Sequence, residues 1–98
     1  MSALTKAGFD AGRWQAARGL DDSQPNPRGG MLDTLEQGPL RKGMSRDAVR
    51  RLLGESDGAT PTTDEYDLGR SPVGVTIEIY IVEYDAQGRV VSFALRRQ

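Results

Sequence analysis

Apolar and polar residues follow two different periods along the chain, helical in the first half and strand-like in the second. Apolar residues recur at near-helical spacing from residue 31 to 37, between flanking glycines, which predicts a short first helix there. The next segment has the clearest helix signal, since Ser45 suits an N-cap and Gly54 suits the residue that closes a helix. An apolar stripe between these two ends predicts the second helix.

From residue 64 onward the period becomes that of strands. A first strand is predicted at residues 64–69, followed by a loop at 69–74 and a longer strand at 75–84. Asp85 and Gly88 fit the ends of a type I turn with a glycine bulge, which joins this strand to a third in a hairpin. The expected fold is α+β, with two short helices followed by a three-stranded antiparallel sheet in two layers.

The turn also predicts how the last two strands pair. With Asp85 opposite Arg89, each further pair follows by moving one position along both strands. Because side chains alternate between faces, one apolar set gathers on a single face of the hairpin. This set is the expected core face: Ile77, Ile79, Ile81, Val91, Phe93 and Leu95.

The opposite face of the hairpin is also apolar and therefore needs a cover. It carries Tyr80, Val82 and Tyr84. Either the helices or the upstream segment with Phe9 and Trp14 cover it as a second core layer, or it is a contact surface for another protein. On the second interpretation the candidate partner-binding residues are the three face residues and Trp14, since aromatic side chains supply large contact areas.

Composition divides the chain into an N-terminal segment and a domain. Residues 1–29 are rich in turn formers and are predicted to be flexible or partly ordered, whereas residues 30–98 are predicted to form one α+β domain. Trp14 is expected to fold back onto this domain, because burying an indole is favourable. No stretch resembles a signal peptide or a bilayer-spanning helix, so either the chain is expected in the cytosol or a natural leader has been replaced.

Charge argues against a nucleic-acid partner. Thirteen Lys and Arg stand against fourteen Asp and Glu, a net charge of -1. The second helix carries a local cluster of Arg46, Arg50 and Arg51, which is expected to be an ordinary solvated face. Contact of these three arginines with an anionic lipid headgroup is the alternative.

The residue types that most often perform catalysis are missing. The sequence has no cysteine and no histidine, which removes thiolate chemistry and the commonest general base and metal ligand. Asp64, Glu65 and Asp67 are close in sequence, but along a strand they point to alternate faces and do not converge on a metal. No catalytic residue, metal or cofactor is predicted, and the chain is expected not to be an enzyme.

Several short sequence motifs resemble those of a known family in their order and spacing. Residues 31–96 are similar to the SmpA/OmlA family, the BamE-like lipoproteins, through the motifs Gly43-Met44-Ser45-Arg46, Leu52-Leu53-Gly54, Leu68-Gly69 and Tyr84-Asp85. The resemblance implies an ααβββ domain on the periplasmic face of a bacterial outer membrane, serving as a non-catalytic scaffold or accessory factor in β-barrel assembly. The cysteine that carries the lipid in that family has no counterpart in this chain.

The same fold is similar to each repeat of the β-lactamase inhibitor proteins. That similarity implies an alternative function, an inhibitor-like or regulatory module that occludes a partner protein. Both alternatives predict another protein as the partner. The chain itself is expected to be a monomer or a weak homodimer.

Overall fold

Helices cover one face of an antiparallel sheet. A computed structural model describes residues 8–19, 26–70 and 76–97. These residues form three α-helices and one 3-10 helix: α1 (Ala11–Ala16), the 3-10 helix (Pro27–Met31), α2 (Leu32–Gln37) and α3 (Arg46–Leu53). The sheet has the order β1-β2-β3-β4: β1 (Gly58–Thr60), β2 (Thr63–Arg70), β3 (Ile77–Tyr84) and β4 (Val90–Arg97). The α+β class is confirmed, with four described strands instead of three.

Helix α3 begins and ends as its sequence predicts. The Ser45 hydroxyl accepts a hydrogen bond from the Ala48 N–H at 3.1 Å, which satisfies one of the amides that a helix start leaves unpaired. At the other end, the Gly54 N–H donates to the Arg50 carbonyl at 2.8 Å. Gly54 has a φ of +79°, a conformation that side chains other than glycine rarely adopt.

The predicted first helix is shorter at its start and is preceded by a 3-10 helix. Helix α2 begins at Leu32, whereas Met31 is the last residue of the 3-10 helix. The Asn26 side chain caps that 3-10 helix by accepting from the Arg28 N–H at 2.9 Å. Proline suits the first position of such a turn because its missing N–H would have no partner there.

The extra strand, β1, lies between the second predicted helix and the first predicted strand. Its three residues are Gly, Ala and Thr, and Pro61 follows them, so neither a period nor a strand-forming composition marks it. It pairs with β2 through a tight turn in which Thr60 faces Thr63. The predicted loop at 69–74 is only partly described: Gly69 and Arg70 belong to β2, and residues 71–75 lie outside the described ranges.

The hairpin turn is confirmed, but the register changes just beyond it. The Asp85 N–H donates to the Arg89 carbonyl at 2.8 Å, and Gly88 has the expected positive φ. Tyr84 faces Val90 as predicted, yet Glu83 faces Ser92 and not Val91. Val91 is therefore the extra residue of a β-bulge. A shift of one residue moves every later side chain of β4 to the other face of the sheet.

The predicted core face is wrong. Tyr80 and Val82 are fully buried and Tyr84 is 4% exposed, whereas the three isoleucines of the opposite face are only half-buried. After the bulge, Phe93 faces Val82 and Leu95 faces Tyr80, so both join this core face and not the isoleucine face. Both faces of β3 are apolar, and the side on which the helices pack decides which one becomes the core.

Trp14 lies at the centre of the core, as its sequence predicts. Its ring centroid is 6.0 Å from that of Tyr66, 6.2 Å from that of Tyr80 and 6.0 Å from that of Phe9. The N-terminal segment, residues 1–29, thus supplies the single tryptophan of the chain to the core. Helical and sheet residues share one cluster: Trp14, Met31, Leu35, Leu40, Val49, Leu53, Tyr66, Leu68, Tyr80, Val82, Tyr84 and Val90.

Candidate functional site

The four candidate partner-binding residues are enclosed by the fold. Trp14, Tyr80 and Val82 have no exposed area, and Tyr84 retains 4%. The Tyr80 hydroxyl donates to Glu36 Oε2 at 2.5 Å, and burial raises the pKa of this phenol far above its usual range. Tyr80, Val82 and Tyr84 lie on the core face of the sheet, which the described helices cover. Trp14 belongs to α1, one of these helices. A surface for a partner has to lie elsewhere.

The carboxylate of Asp64 is a buried charge with three partners. It accepts hydrogen bonds from Arg50 Nη2 at 2.7 Å, from Arg46 Nη2 at 3.0 Å and from the Tyr84 hydroxyl at 2.8 Å. Burial by itself raises the pKa of Asp64, but the hydrogen bonds from Arg50, Arg46 and Tyr84 outweigh it and lower the pKa to about 2. The carboxylate therefore stays ionised at every physiological pH.

Two of the three candidate lipid contacts are part of this cluster. Besides Asp64, the Arg46 guanidinium donates to the carbonyls of Thr60, Pro61 and Thr63, which ties α3 to the β1–β2 turn. The predicted solvated face is therefore incorrect for Arg46, which is held by the turn. Arg50 is exposed, as expected of a solvated face, although Asp64 pairs with it. Arg51 is exposed and makes no ion pair with another described residue.

Another arginine, Arg28, is fully buried and lies against aromatic rings of the core. Its Nε donates to the Trp14 carbonyl at 2.8 Å, and its Nη1 donates to Asp57 Oδ2 at 3.0 Å and to the Asp67 carbonyl at 3.1 Å. The guanidinium lies 5.1 Å from the Trp14 ring centroid and 5.8 Å from that of Tyr66, a cation–π arrangement. Arg28 joins α1, the approach to β1 and β2, so its role is to hold the fold.

Strand β4 is one of the two edge strands of the described sheet, and its outer edge is open over most of its length. Only its beginning is paired on that side: the Gly43 N–H donates to the Val90 carbonyl at 2.8 Å, and the Val90 N–H donates to the Met44 carbonyl at 2.8 Å. Ser45 forms an isolated bridge with Arg89 in the same place. From Val91 onward, no described segment lies beside β4.

The register identifies which main-chain groups of β4 face outward. The Tyr84 N–H donates to the Thr62 carbonyl at 2.8 Å, so the main-chain groups of Tyr84 point toward β2. Because these directions alternate along a strand, the main-chain groups of Val82, Tyr80 and Glu78 form a set with Tyr84 and also point toward β2. Phe93, Leu95 and Arg97 lie opposite residues of this set. Their N–H and C=O groups therefore point away from the sheet, because hydrogen-bonded and non-hydrogen-bonded pairs alternate in an antiparallel ladder.

The side chains of β4 are apolar and basic. Val91 is 46% exposed and Leu95 is 39% exposed, and these are the exposed large hydrophobic residues of the described ranges. Arg89, Arg96 and Arg97 lie on or beside the strand, and none of its eight residues is acidic. Arg96 is exposed and has no ion pair with another described residue. An open edge, apolar side chains and positive charge thus coincide on one strand.

A pocket of about 410 Å³ adjoins the end of β4 on the core side of the sheet. The 3-10 helix supplies one wall, and Leu68, Leu95 and Arg97 supply the other. Glu78, 6% exposed, lies in the same wall and accepts a hydrogen bond from Arg97 Nε at 3.1 Å. The pocket continues the core face beyond the area that the described helices cover.

The described residues contain no group of three or more acidic side chains placed to hold a metal ion. Among the same residues, no helix has the length and apolar character needed to cross a bilayer. Comparisons with protein-family models, curated proteins and solved structures gave no match for the chain. Its function therefore has to be argued from its own surface.

Sequence reasoning missed the β4 edge because it placed Val91, Phe93 and Leu95 in the core. One signal was present: the last strand of a chain of hairpins is an edge strand unless another segment pairs with it. The bulge that exposes Val91 has no marker of its own, since the residues around it are ordinary strand formers.

Proposed function

We propose that the chain is a non-catalytic protein-binding module that docks a partner on the open edge of β4. The proposal is carried by one observation: Val91 and Leu95, the exposed large hydrophobic residues of the described ranges, lie on β4, whose outer edge has no described segment beside it from Val91 onward. Exposed apolar side chains beside an open strand edge favour association with another polypeptide, because both main-chain and apolar groups gain partners there.

Our proposal for the cellular location and role rests on the sequence motifs that resemble the SmpA/OmlA family. That resemblance favours a scaffold or accessory factor of the bacterial cell envelope, on the periplasmic face of the outer membrane. Lipid contact through α3 is no part of the proposal, because Asp64 holds Arg46 and Arg50. The alternative, an inhibitor-like module, uses the same edge and differs in its consequence, since the bound partner would lose activity.

Site-specific crosslinking tests the proposal. A photoreactive amino acid is placed at Val91 in one variant and at Gln37, an exposed residue at the end of α2, in the control. We expect a discrete adduct from residue 91, at least about fivefold stronger than any adduct from residue 37, in extracts of the source cell. Equal labelling from both positions would contradict a specific surface at β4.

The identity of the adduct then separates the two functions. A partner that belongs to envelope assembly supports the scaffold. A partner enzyme whose turnover falls when the chain is added supports the inhibitor-like module.

A further inference from the structure

We infer that the segment which docks on β4 is an extended strand with two acidic residues followed by alternating apolar residues. This inference rests on the proposed function and specifies the chemistry of the partner. The main chain, the side chains and the charges of β4 each contribute one part of the argument.

The main chain of β4 calls for a strand. Phe93 and Leu95 are two positions apart, and each directs one N–H donor and one C=O acceptor outward. A partner residue opposite each of them in an antiparallel strand satisfies both groups at once. Unpaired main-chain groups at this spacing match an extended segment and not a helix, whose main-chain groups bond within the helix itself.

The side chains of the same two residues set the apolar positions of the partner. Phe93 is half-buried and Leu95 is 39% exposed, and both lie on the core face of the sheet. Residues directly opposite one another on an antiparallel pair have neighbouring side chains. Apolar partner residues opposite Phe93 and Leu95 thus extend the core, and the pocket beside Leu95 offers space for one of them.

The charges of β4 set the acidic positions. Arg96 is exposed on the outer face without an ion pair to a described residue. Arg97 donates through Nε to Glu78, but its side chain remains 64% exposed. Adjacent acidic residues on a partner strand would lie opposite these two arginines. A second copy of β4 has no carboxylate to place opposite these arginines, so self-pairing along this edge would leave them without a charged partner.

These positions give a specific probe. In an antiparallel alignment the partner reads Glu, Glu, Val, Thr, Val, with the glutamates opposite Arg97 and Arg96 and the valines opposite Leu95 and Phe93. The probe is this peptide with blocked termini, titrated into the isotope-labelled chain and followed by NMR at low ionic strength. We expect saturable shifts that are largest at the β4 amides. A peptide with lysines in place of the glutamates is expected to bind about tenfold more weakly.

Main-chain pairing is tested by N-methylation. Methylating the two valines removes the donors opposite Leu95 and Phe93, which are two of the three that face β4, and binding should be lost. Methylating the threonine and the second glutamate leaves those donors intact, because their N–H groups point away from β4. Equal binding of the two methylated peptides would rule out strand addition.

Charge is tested by reversal with a matched control. Arg96→Glu should weaken the glutamate peptide about five- to tenfold and strengthen the lysine peptide, whereas Arg51→Glu makes the same charge change on α3 and should alter neither. Unchanged preference in Arg96→Glu would overturn the acidic class of partner. Concentration-dependent dimerisation that shifts the β4 amides in the absence of peptide would overturn it too, since the occupant would then be a second copy.

Failure of this inference is distinguishable from failure of the proposed function. If residue 91 crosslinks a specific protein but the glutamate peptide does not bind, β4 is a docking site for a different chemistry. If neither residue 91 nor the peptide gives a signal, the proposed function fails together with the inference.

Discussion

The arginines inside the fold and those on β4 carry the same charge in opposite surroundings. Arg28 is fully buried, with hydrogen bonds to Trp14, Asp57 and Asp67, whereas Arg96 is exposed and unpaired among the described residues. A buried guanidinium that joins several segments fixes their positions and has no surface that a partner could contact. The comparison therefore separates arginines that maintain the structure from arginines that remain available for a partner.

The largest expected effect comes from breaking the interior side of this comparison. Arg28→Ala removes the guanidinium that donates to the carbonyls of Trp14 and Asp67, pairs with Asp57 and lies against the aromatic rings. We expect the free energy of unfolding to fall by about 3–5 kcal/mol, the usual cost of removing one partner of a buried ionic interaction. Urea unfolding followed by tryptophan fluorescence measures this change, because Trp14 is the only tryptophan.

Arg96→Ala is the matched control for that experiment. It should change the free energy of unfolding by less than about 0.5 kcal/mol. Similar losses in the two variants would contradict the division between interior and available arginines.

An intermediate effect is expected from acid. The pKa of Asp64 is about 2 in the folded chain against 3.8 for an unperturbed carboxyl, so the cluster stabilises the fold fully above pH 3.8. This contribution, about 2 kcal/mol, is lost as the pH falls through 2. Unfolding free energies measured between pH 5 and pH 2 in the wild type and in Asp64→Asn should converge toward the acid end of this range.

The exposed residue Glu55 provides the control for the acid experiment. Its side chain is 80% exposed, and its contact with Arg18 is long, at 3.9 Å. Glu55→Gln should keep the pH dependence of the wild type. If Asp64→Asn also keeps that dependence, Asp64 is not the group that titrates.

The smallest expected effect lies on the available side of the comparison. Leu95→Thr keeps a strand-forming residue at a position that is already 39% exposed, so the free energy of unfolding should fall by no more than about 1 kcal/mol. The same substitution should reduce binding of the acidic peptide, because it removes an apolar contact. Thermal unfolding followed by circular dichroism tests the first expectation, and NMR titration tests the second.

The parts of the fold that local chemistry determines could be predicted from the sequence. The Ser45 cap, the closure at Gly54 and the Asp85–Gly88 turn each depend on residues that are near one another in the chain. The sequence also predicts Trp14 in the core, because removing a large apolar indole from water is favourable. These predictions needed no knowledge of how distant segments pack.

The predictions that failed depend on packing between distant segments. The bulge at Val91 moves the later side chains of β4 to the face opposite the predicted one, and no residue near it in the sequence indicates a bulge. Arg28 lies in a turn-rich segment and Arg46 on an apparently solvated helix, so only the tertiary structure reveals the acceptors that hold them. The candidate site was missed for the same reason, since the open edge is defined by what does not pack against it.

The bonds between Gly43, Met44 and Val90 limit how much of β4 a partner can occupy. Only the stretch after Val90 is accessible, and three of its residues, Phe93, Leu95 and Arg97, offer outward main-chain groups. An interface this short should dissociate quickly, because the lifetime of a complex depends mainly on the contacts that must break. Long-lived association would then require a second point of attachment, such as several copies tethered side by side, which raises the effective concentration of each docking strand.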